Sequence, residues 1–352
     1  MRADLQQVAK DALGEREGSV VVLDVQTGGV AAMWSYPSYD PNPVSALDFG
    51  AASNVLEFLQ ESPGDPLLAN AYQQRYMPGS TFKVITTGVA LEAGVINPQT
   101  AFPVETTYVP PLTDNPIQNF EGTSCGGVLP DVFARSCNIP FAKTAIEVGP
   151  DRMVAGVQEW GVGEVLPIDL PRPVASTFGS TDNLDRELPL LAIRGFGQNE
   201  VQLVPLHMAM IAATVANGGE MLEPHVVDAE LDHSGRVLDR HEPKVWKRPI
   251  SPETALLLNS FMQGVATWAR RRAAWRSPVV CPWLPRRGRR SSTIPASRSY
   301  RTPGSWRSPR QPAALRRRRD AEGHERRDLG GHRRTPRRAD RQDSPRCRTG
   351  DP

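Results

Sequence analysis

"RYMPGSTFKVITTGVALEAG" runs from Arg75 to Gly94. Pro78-Gly79 breaks the chain near its start, Val84, Ile85, Val89 and Leu91 fill its body, and Gly94 is a natural stop. The stretch therefore predicts a helix that begins at Ser80. Ser80 and Lys83 form S-x-x-K, and residues three apart on a helix share one face, with Cβ atoms about 5–6 Å apart. A serine hydroxyl is a poor nucleophile without a neighbouring base. A lysine, with a reference pKa of about 10.4, becomes a base only when burial or a nearby cation lowers that value. The apolar helix that follows would supply the burial. A serine at a helix start also presents its own N–H to a developing oxyanion. Alone, the spacing describes an N-capping serine beside a solvated lysine equally well. The Pro-Gly break, the aromatic Phe82 between the pair and the apolar helix favour nucleophile and base.

Ser136-Cys137-Asn138, 53 residues beyond Lys83, is a second candidate. A hydroxyl and an amide two apart on a loop project the same way into a cleft. There Ser136 would relay a proton towards a leaving amine and Asn138 would hydrogen-bond a substrate amide. In isolation an Asx or Ser turn explains the same residues.

Strand and helix signals alternate around these two stretches. Ser19 to Ser35 predicts a hairpin turning at Gln26-Thr27-Gly28-Gly29, and His225 to Arg240 a second turning at Ser234-Gly235. "FGAASNVLEFLQES" predicts a helix closed by Pro63-Gly64, and "LVPLHMAMIAATVANGG" a long apolar helix in which His207 is a packing residue. "SPETALLLNSFMQGV" predicts a helix with Ser251 as N-cap and Pro252 at the first position. After Val265 the periodicity stops. The mixed order argues for an α+β domain around a mainly antiparallel sheet flanked by helices.

"YMPGSTFK" followed by "SCN" closely resembles the transpeptidase domain of penicillin-binding proteins, and most of all the high-molecular-weight monofunctional class. "GSVVVLDVQTGGVAAMWSYPSYDPNP", "CGGVLPDVFARSCNIPFAKTAIEVG" and "GFGQNEVQLVPLHMAMIAATVANGGEMLEPHVV" extend the resemblance over roughly Asp4 to Val265. It implies the penicillin-recognising serine transpeptidase/β-lactamase-like fold and a D,D-transpeptidase of peptidoglycan cross-linking. Ser80 would be the acylated nucleophile, Lys83 its base, and Ser136 and Asn138 the second motif. Peptidoglycan stem peptides and β-lactam antibiotics would be the ligands, a cell-division or elongation protein the recruiting partner, and no metal or organic cofactor would be needed. A β-lactam-hydrolysing or β-lactam-sensing serine enzyme of the same fold is the alternative, although no deacylating Glu is placed by a motif.

The sequence departs from the family in four ways. Met77 stands where a Pro is usual, and the Arg usual between Asn70 and Ala71 is missing. The family carries a membrane anchor and a non-catalytic region before this domain, so the resemblance implies a chain that starts late, from a parent at the plasma membrane with its catalytic domain outside. Outside the cytoplasm Cys125 and Cys137 would bridge a loop of roughly a dozen residues, worth about 3 kcal/mol; inside it they are two unrelated thiols. The third motif, K-T/S-G, occurs nowhere in the 352 residues.

Where that motif is due stands "PWLPRRGRRS", Pro282 to Ser291. From Thr267 to Pro352 there are 25 Arg, no Lys and 7 acids, a net +18, against 16 bases and 32 acids before it. The last Lys is Lys247, the last Asn Asn259 and the last Phe Phe261. One permitted set of codons for the ten residues, shifted by two bases, reads V-A-A-K-T-G-T-A-E, and Thr267 to Arg270 shifted alike can give V-G-T-A or a near relative. The domain therefore spans 1–266 with its C-terminal strands missing, and 267–352 is expected to be a disordered, out-of-frame tail. The rival, a basic nucleic-acid-binding arm, does not explain the absence of Lys or a start at this point. No apolar run approaches the roughly 20 residues of a membrane span.

Overall fold

A computed structural model describes residues 1–276. Helix α1 (Ala3–Leu13) lies against a hairpin of β1 (Gly18–Leu23) and β2 (Val30–Tyr36). The hairpin turns where expected. Asp24 Oδ1 accepts from the Gln26 and Thr27 amides at 2.9 and 3.2 Å, and Gly28 takes φ 79°. Two short acid-capped helices follow, α2 (Pro41–Val44) and α3 (Phe49–Gln60), in which Asp40 and Asp48 accept from the first free amides. After α4 (Asn70–Gln73) comes a 3₁₀ turn, Gly79–Phe82, which runs directly into α5 (Lys83–Glu92).

Four short strands come next: β3 (Ala101–Glu105), β4 (Thr107–Tyr108), β5 (Ile117–Gln118) and β6 (Cys125–Val128). They lead into α6 (Leu129–Ala134), α7 (Ile139–Val148) and α8 (Pro150–Glu159). The described chain closes with α9 (Leu188–Arg194), α10 (Pro205–Ala216), β7 (Met221–Leu222), β8 (Ala229–Leu231), β9 (Val237–Arg240), β10 (Val245–Lys247) and α11 (Pro252–Arg276). Strands pair β1–β2, β3–β6, β4–β5, β7–β10 and β8–β9, all antiparallel. The α+β class and the antiparallel pairing are as expected. The single sheet is not: among the described residues every sheet has two strands, β1 pairs with β2 alone, and no strand follows β10.

The core forms around α5. Phe82, Ile85 and Ala90 are fully buried, and α5 packs against α7, α8 and α11. Small residues let these helices approach. A Cβ on Gly88 would sit 3.0 Å from Trp160, and one on Gly156 of α8 would sit 2.5 Å from Val89. His207 of α10 is fully buried, as the apolar pattern around it implies. Its Nε2 lies 2.8 Å from the Trp160 carbonyl, which only accepts, so Nε2 carries the proton. Nδ1 then accepts from the Ser176 hydroxyl at 2.8 Å. Burial pushes the imidazole down to about 4, so it stays neutral and structural.

Two sequence expectations meet the structure here. Cys125 of β6 and Cys137 form a disulfide, with Cα atoms 5.8 Å apart. The expected stop at Val265 is corrected: α11 continues through the 266/267 boundary to Arg276. Its first half is anchored by buried Ala255, Leu258 and Phe261. Elongation then costs no new nucleus, and "ATWARRRAAWR" is rich in Ala and Arg, both strong helix formers. The loss of apolar period removed a burial signal rather than helix propensity. The first proline after Pro252 is Pro278. The rest of the expected disordered tail, 277–352, and the K-T-G position lie outside the described residues.

Gly156→Ala tests the helix contact. Helix propensity alone would add about 1 kcal/mol of stability, but overpacking costs about 1–3 kcal/mol. With Val89 only 6% exposed and unable to withdraw, denaturant unfolding should show a net loss of up to about 2 kcal/mol. Combined with Val89→Ala, the loss should be smaller than the sum of the two single changes.

Candidate active site

Ser80 sits in the 3₁₀ turn and Lys83 at the first position of α5, so the α-helix begins three residues later than the sequence predicts while the turn keeps the pair adjacent. Backbone contacts fix this turn from below. Tyr76 exchanges both backbone hydrogen bonds with Leu203, at 2.9 and 2.8 Å, and the Gly79 amide donates to Gly197 O at 2.9 Å. Gly197 has φ 77°, and a Cβ there would lie 2.1 Å from Gly79 O. Only glycine allows the 195–203 segment to come this close to the residue before Ser80. The sequence reading gave Gly197 no role; its one signal was a Gly in "GFGQ" just before a strand-like run.

Lys83 is 2% exposed, yet its Nζ has four oxygen neighbours. Ser80 Oγ is 3.1 Å away, Ser136 Oγ 3.1 Å, Ser136 O 2.8 Å and Asn138 Oδ1 3.0 Å. Its ammonium position also lies over the Phe141 ring at 5.3 Å. Burial lowers the Lys83 pKa from its ordinary value to about 7. The two carbonyl oxygens can only accept. A neutral amine that donates its two protons to them turns its lone pair towards the two hydroxyls. The geometry thus lets a neutral Lys83 accept a proton from Ser80 or Ser136.

Lys83 Nζ thus brings all four candidate residues together, reaching Ser136 and Asn138 across 53 and 55 positions of sequence. Ser136 adopts φ 57°, a left-handed conformation that non-glycine residues rarely take. It is held there by its own amide to Phe133 O and the Cys137 amide to Val132 O, both 3.0 Å, and by the Cys125–Cys137 bond. One detail differs from the sequence reading. The Asn138 amide does not stand free for a substrate: Nδ2 donates to Gln118 O at 3.0 Å, and Oδ1 receives Lys83. In this state Asn138 orients the base. It packs this way because it is also the residue before α7, close to β5.

Ser80 and Ser136 open onto a cleft of about 360 Å³. Val84 and Phe133 form one wall, Met208, Ile211 and Ala212 of α10 another, and Met262 and Val265 of α11 the third. The arrangement combines a hydroxyl nucleophile, a buried amine base and a second hydroxyl beside an apolar wall. It is suited to acyl transfer through a covalent serine ester.

Residues 18–277 match the penicillin binding protein transpeptidase domain. The chain is 36% identical to the peptidoglycan D,D-transpeptidase PbpA of Mycolicibacterium smegmatis over 275 residues, 74% of this chain and 54% of that protein. It is 32% identical to the PbpA of Mycobacterium tuberculosis over 280 residues, 77% of this chain and 56% of that one. The chain therefore spans about half the length of the curated relatives it matches. The crystal structure of PBPA from Mycobacterium tuberculosis superposes with a TM-score of 0.71 at 29% identity, over 75% of this chain and 61% of that one. The penicillin G acyl-enzyme complex of penicillin-binding protein A from M. tuberculosis gives a TM-score of 0.72 at 29% identity, over 76% and 62%.

The Lys83 environment predicts a pH profile. Lys83 accepts a proton only when neutral, that is, above its folded value of about 7. Labelling of Ser80 by a fluorophosphonate should therefore rise with pH through about 7 and level off, and Lys83→Met should remove that rise. A rate indifferent to pH between 5 and 9, with peptide mapping placing the label on Ser80, would contradict the assignment.

Proposed function

The chain belongs to the penicillin-binding protein transpeptidase domain family, and from that premise we propose that its site carries the acyl-enzyme chemistry of a peptidoglycan D,D-transpeptidase. The observation that supports this reading most is Lys83 Nζ lying 3.1 Å from the hydroxyls of both Ser80 and Ser136. Ser80 Oγ attacks the penultimate D-alanine carbonyl of a stem peptide while its proton passes to neutral Lys83. The tetrahedral intermediate collapses, the C–N bond to the terminal D-alanine breaks, and the leaving amine takes a proton relayed from Lys83 through Ser136. An amine of a neighbouring strand then attacks the serine ester and gives its proton to Lys83, which passes it to Ser80 Oγ as the acyl C–O bond breaks, restoring the hydroxyl and the neutral amine. β-Lactams enter at the first step, since their strained amide acylates the same hydroxyl.

The residues that would hold the substrate carboxylate and give the second oxyanion donor belong, in this family, to the K-T/S-G strand. We read its absence as a frameshift near codon 266. The arginine-rich composition and the lack of Lys after Lys247 support that reading, and the codons allowed for Pro282 to Ser291 permit a K-T-G in a shifted frame. Loss of one oxyanion donor costs about 10²–10³ in rate in comparable acyl-transfer enzymes. The chain as written is therefore a poor acylating enzyme. The Cys125–Cys137 disulfide supports action outside the cytoplasm, in keeping with a parent at the plasma membrane whose partners are stem peptides and a division or elongation protein.

Fluorescent penicillin tests the proposal. A chain with the reading frame restored should be labelled on Ser80, Ser80→Ala should abolish the label with folding intact, and the chain as written should be labelled at least about 100-fold more slowly. The DNA across codons 262–295 should hold K-T-G in a shifted frame. Labelling that survives Ser80→Ala removes the nucleophile assignment. Normal labelling of the chain as written, or DNA with no K-T-G in either other frame, removes the frameshift account and returns the tail to the protein.

A further inference from the structure

Asn119 has no place in the mechanism above and lies 17 residues from Ser136 in sequence, yet it is 4% exposed and its amide is fully engaged. Nδ2 donates to Glu105 O at 2.9 Å and Thr123 O at 3.1 Å. Oδ1 accepts from the Asn138 amide at 2.9 Å and the Ile139 amide at 3.2 Å. A primary amide has two donors and two lone pairs, and all four are used. The partners also fix which way the amide faces, since carbonyls only accept and backbone amides only donate.

The neighbouring residue adds a second grip. Gln118 O accepts Asn138 Nδ2 at 3.0 Å, which leaves Asn138 Oδ1 as the end that faces Lys83. Asn119 is itself anchored to the end of β3 and to the turn before β6, so it ties two backbone segments to the first turn of α7. That turn otherwise has no side-chain cap from Asn138. The loop that leads into the held turn is strained, because Ser136 sits at φ 57° two positions before Asn138.

We propose that Asn119 is the positioning residue of the second motif: by holding the Asn138 and Ile139 amides it keeps Asn138 Oδ1 and the Ser136 hydroxyl on Lys83. Without it, the loop relaxes from its left-handed turn, α7 loses the acceptor for its first amides, and the lone pair of Lys83 is no longer directed at a hydroxyl. The catalytic consequence rests on the acyl-transfer reading of Ser80; the hold itself is measurable without it.

Amide hydrogen exchange and Ser80 labelling on the full chain test this. In Asn119→Ala the Asn138 and Ile139 amides should exchange at least about tenfold faster, while the Ala142 amide and the β1–β2 amides keep their protection. The rate of fluorophosphonate labelling at Ser80 should fall about tenfold. The double variant Asn119→Ala/Asn138→Ala should lose less than the sum of the two single losses, because part of what Asn119 holds in place is the Asn138 side chain. Asn119→Leu, which fills the same space with no acceptor, should expose the same two amides and decides the matter if Asn119→Ala does not fold. Unchanged exchange at Asn138 and Ile139, equal loss of protection along all of α7, retained protection of those two amides in Asn119→Leu, or additive labelling losses in the double variant would each overturn the proposal. If Ser80 takes no label in any chain, the acyl-transfer reading falls and exchange alone decides the role of Asn119.

Discussion

Lys83 is a lysine side chain placed where a charge is costly, and the site depends on how that cost is met. Burial makes the ammonium unfavourable, so the group can persist only among oxygens that take its protons. Ser136 O and Asn138 Oδ1 provide them, and Ser80 and Ser136 hydroxyls occupy the remaining directions. The result is an amine with a pKa of about 7, able to exist in both protonation states near neutral pH. The same burial couples the site to stability. An unfolded chain returns Lys83 to its ordinary value near 10.5, so between about 7 and 10.5 the unfolded state binds the extra proton. Stability contributed through this group therefore rises with pH across that window.

The surrounding fold can be understood as the means of holding that arrangement. The 3₁₀ turn carries Ser80 and α5 opens with Lys83, and α5 is buried by α7, α8 and α11. Gly197 lets the backbone of a distant segment seat the turn before Ser80, and the disulfide fixes Cys137 in the middle of the second motif. The opposite side of the cleft is built differently. Apolar side chains of α10 and α11 face Ser80, and β1 has a strand on one edge only among the described residues. The part of the site made of helices is thus complete, and the part a sheet would close is not present in residues 1–276.

How much of this the sequence announced follows from the range of each interaction. Ser80 and Lys83 were legible because one helical turn relates them, and the 3₁₀ turn into α5 kept that spacing. His207 was legible as a core residue from its apolar neighbours. Ser136 and Asn138 were weak on their own, since no periodicity connects positions 53 apart, and only the family resemblance joined them to Lys83. The Cys pair stayed open because compartment, not spacing, decides it. Gly197, Gln118 and Asn119 were not legible: the first acts by lacking a Cβ, the second through a carbonyl, and the third through two backbone amides. The run past Val265 misled for a related reason, because a vanished apolar period reports lost burial while Ala and Arg still favour helix.

The claim on which the account rests is that Lys83 is a buried, near-neutral base. Its side-chain carbon and nitrogen shifts, followed by pH titration of lysine-labelled chain and assigned with Lys83→Arg, measure that directly. The account predicts one lysine among the labelled set that titrates near 7 and disappears in the variant. A Lys83 that titrates with the others near 10.5 would contradict it.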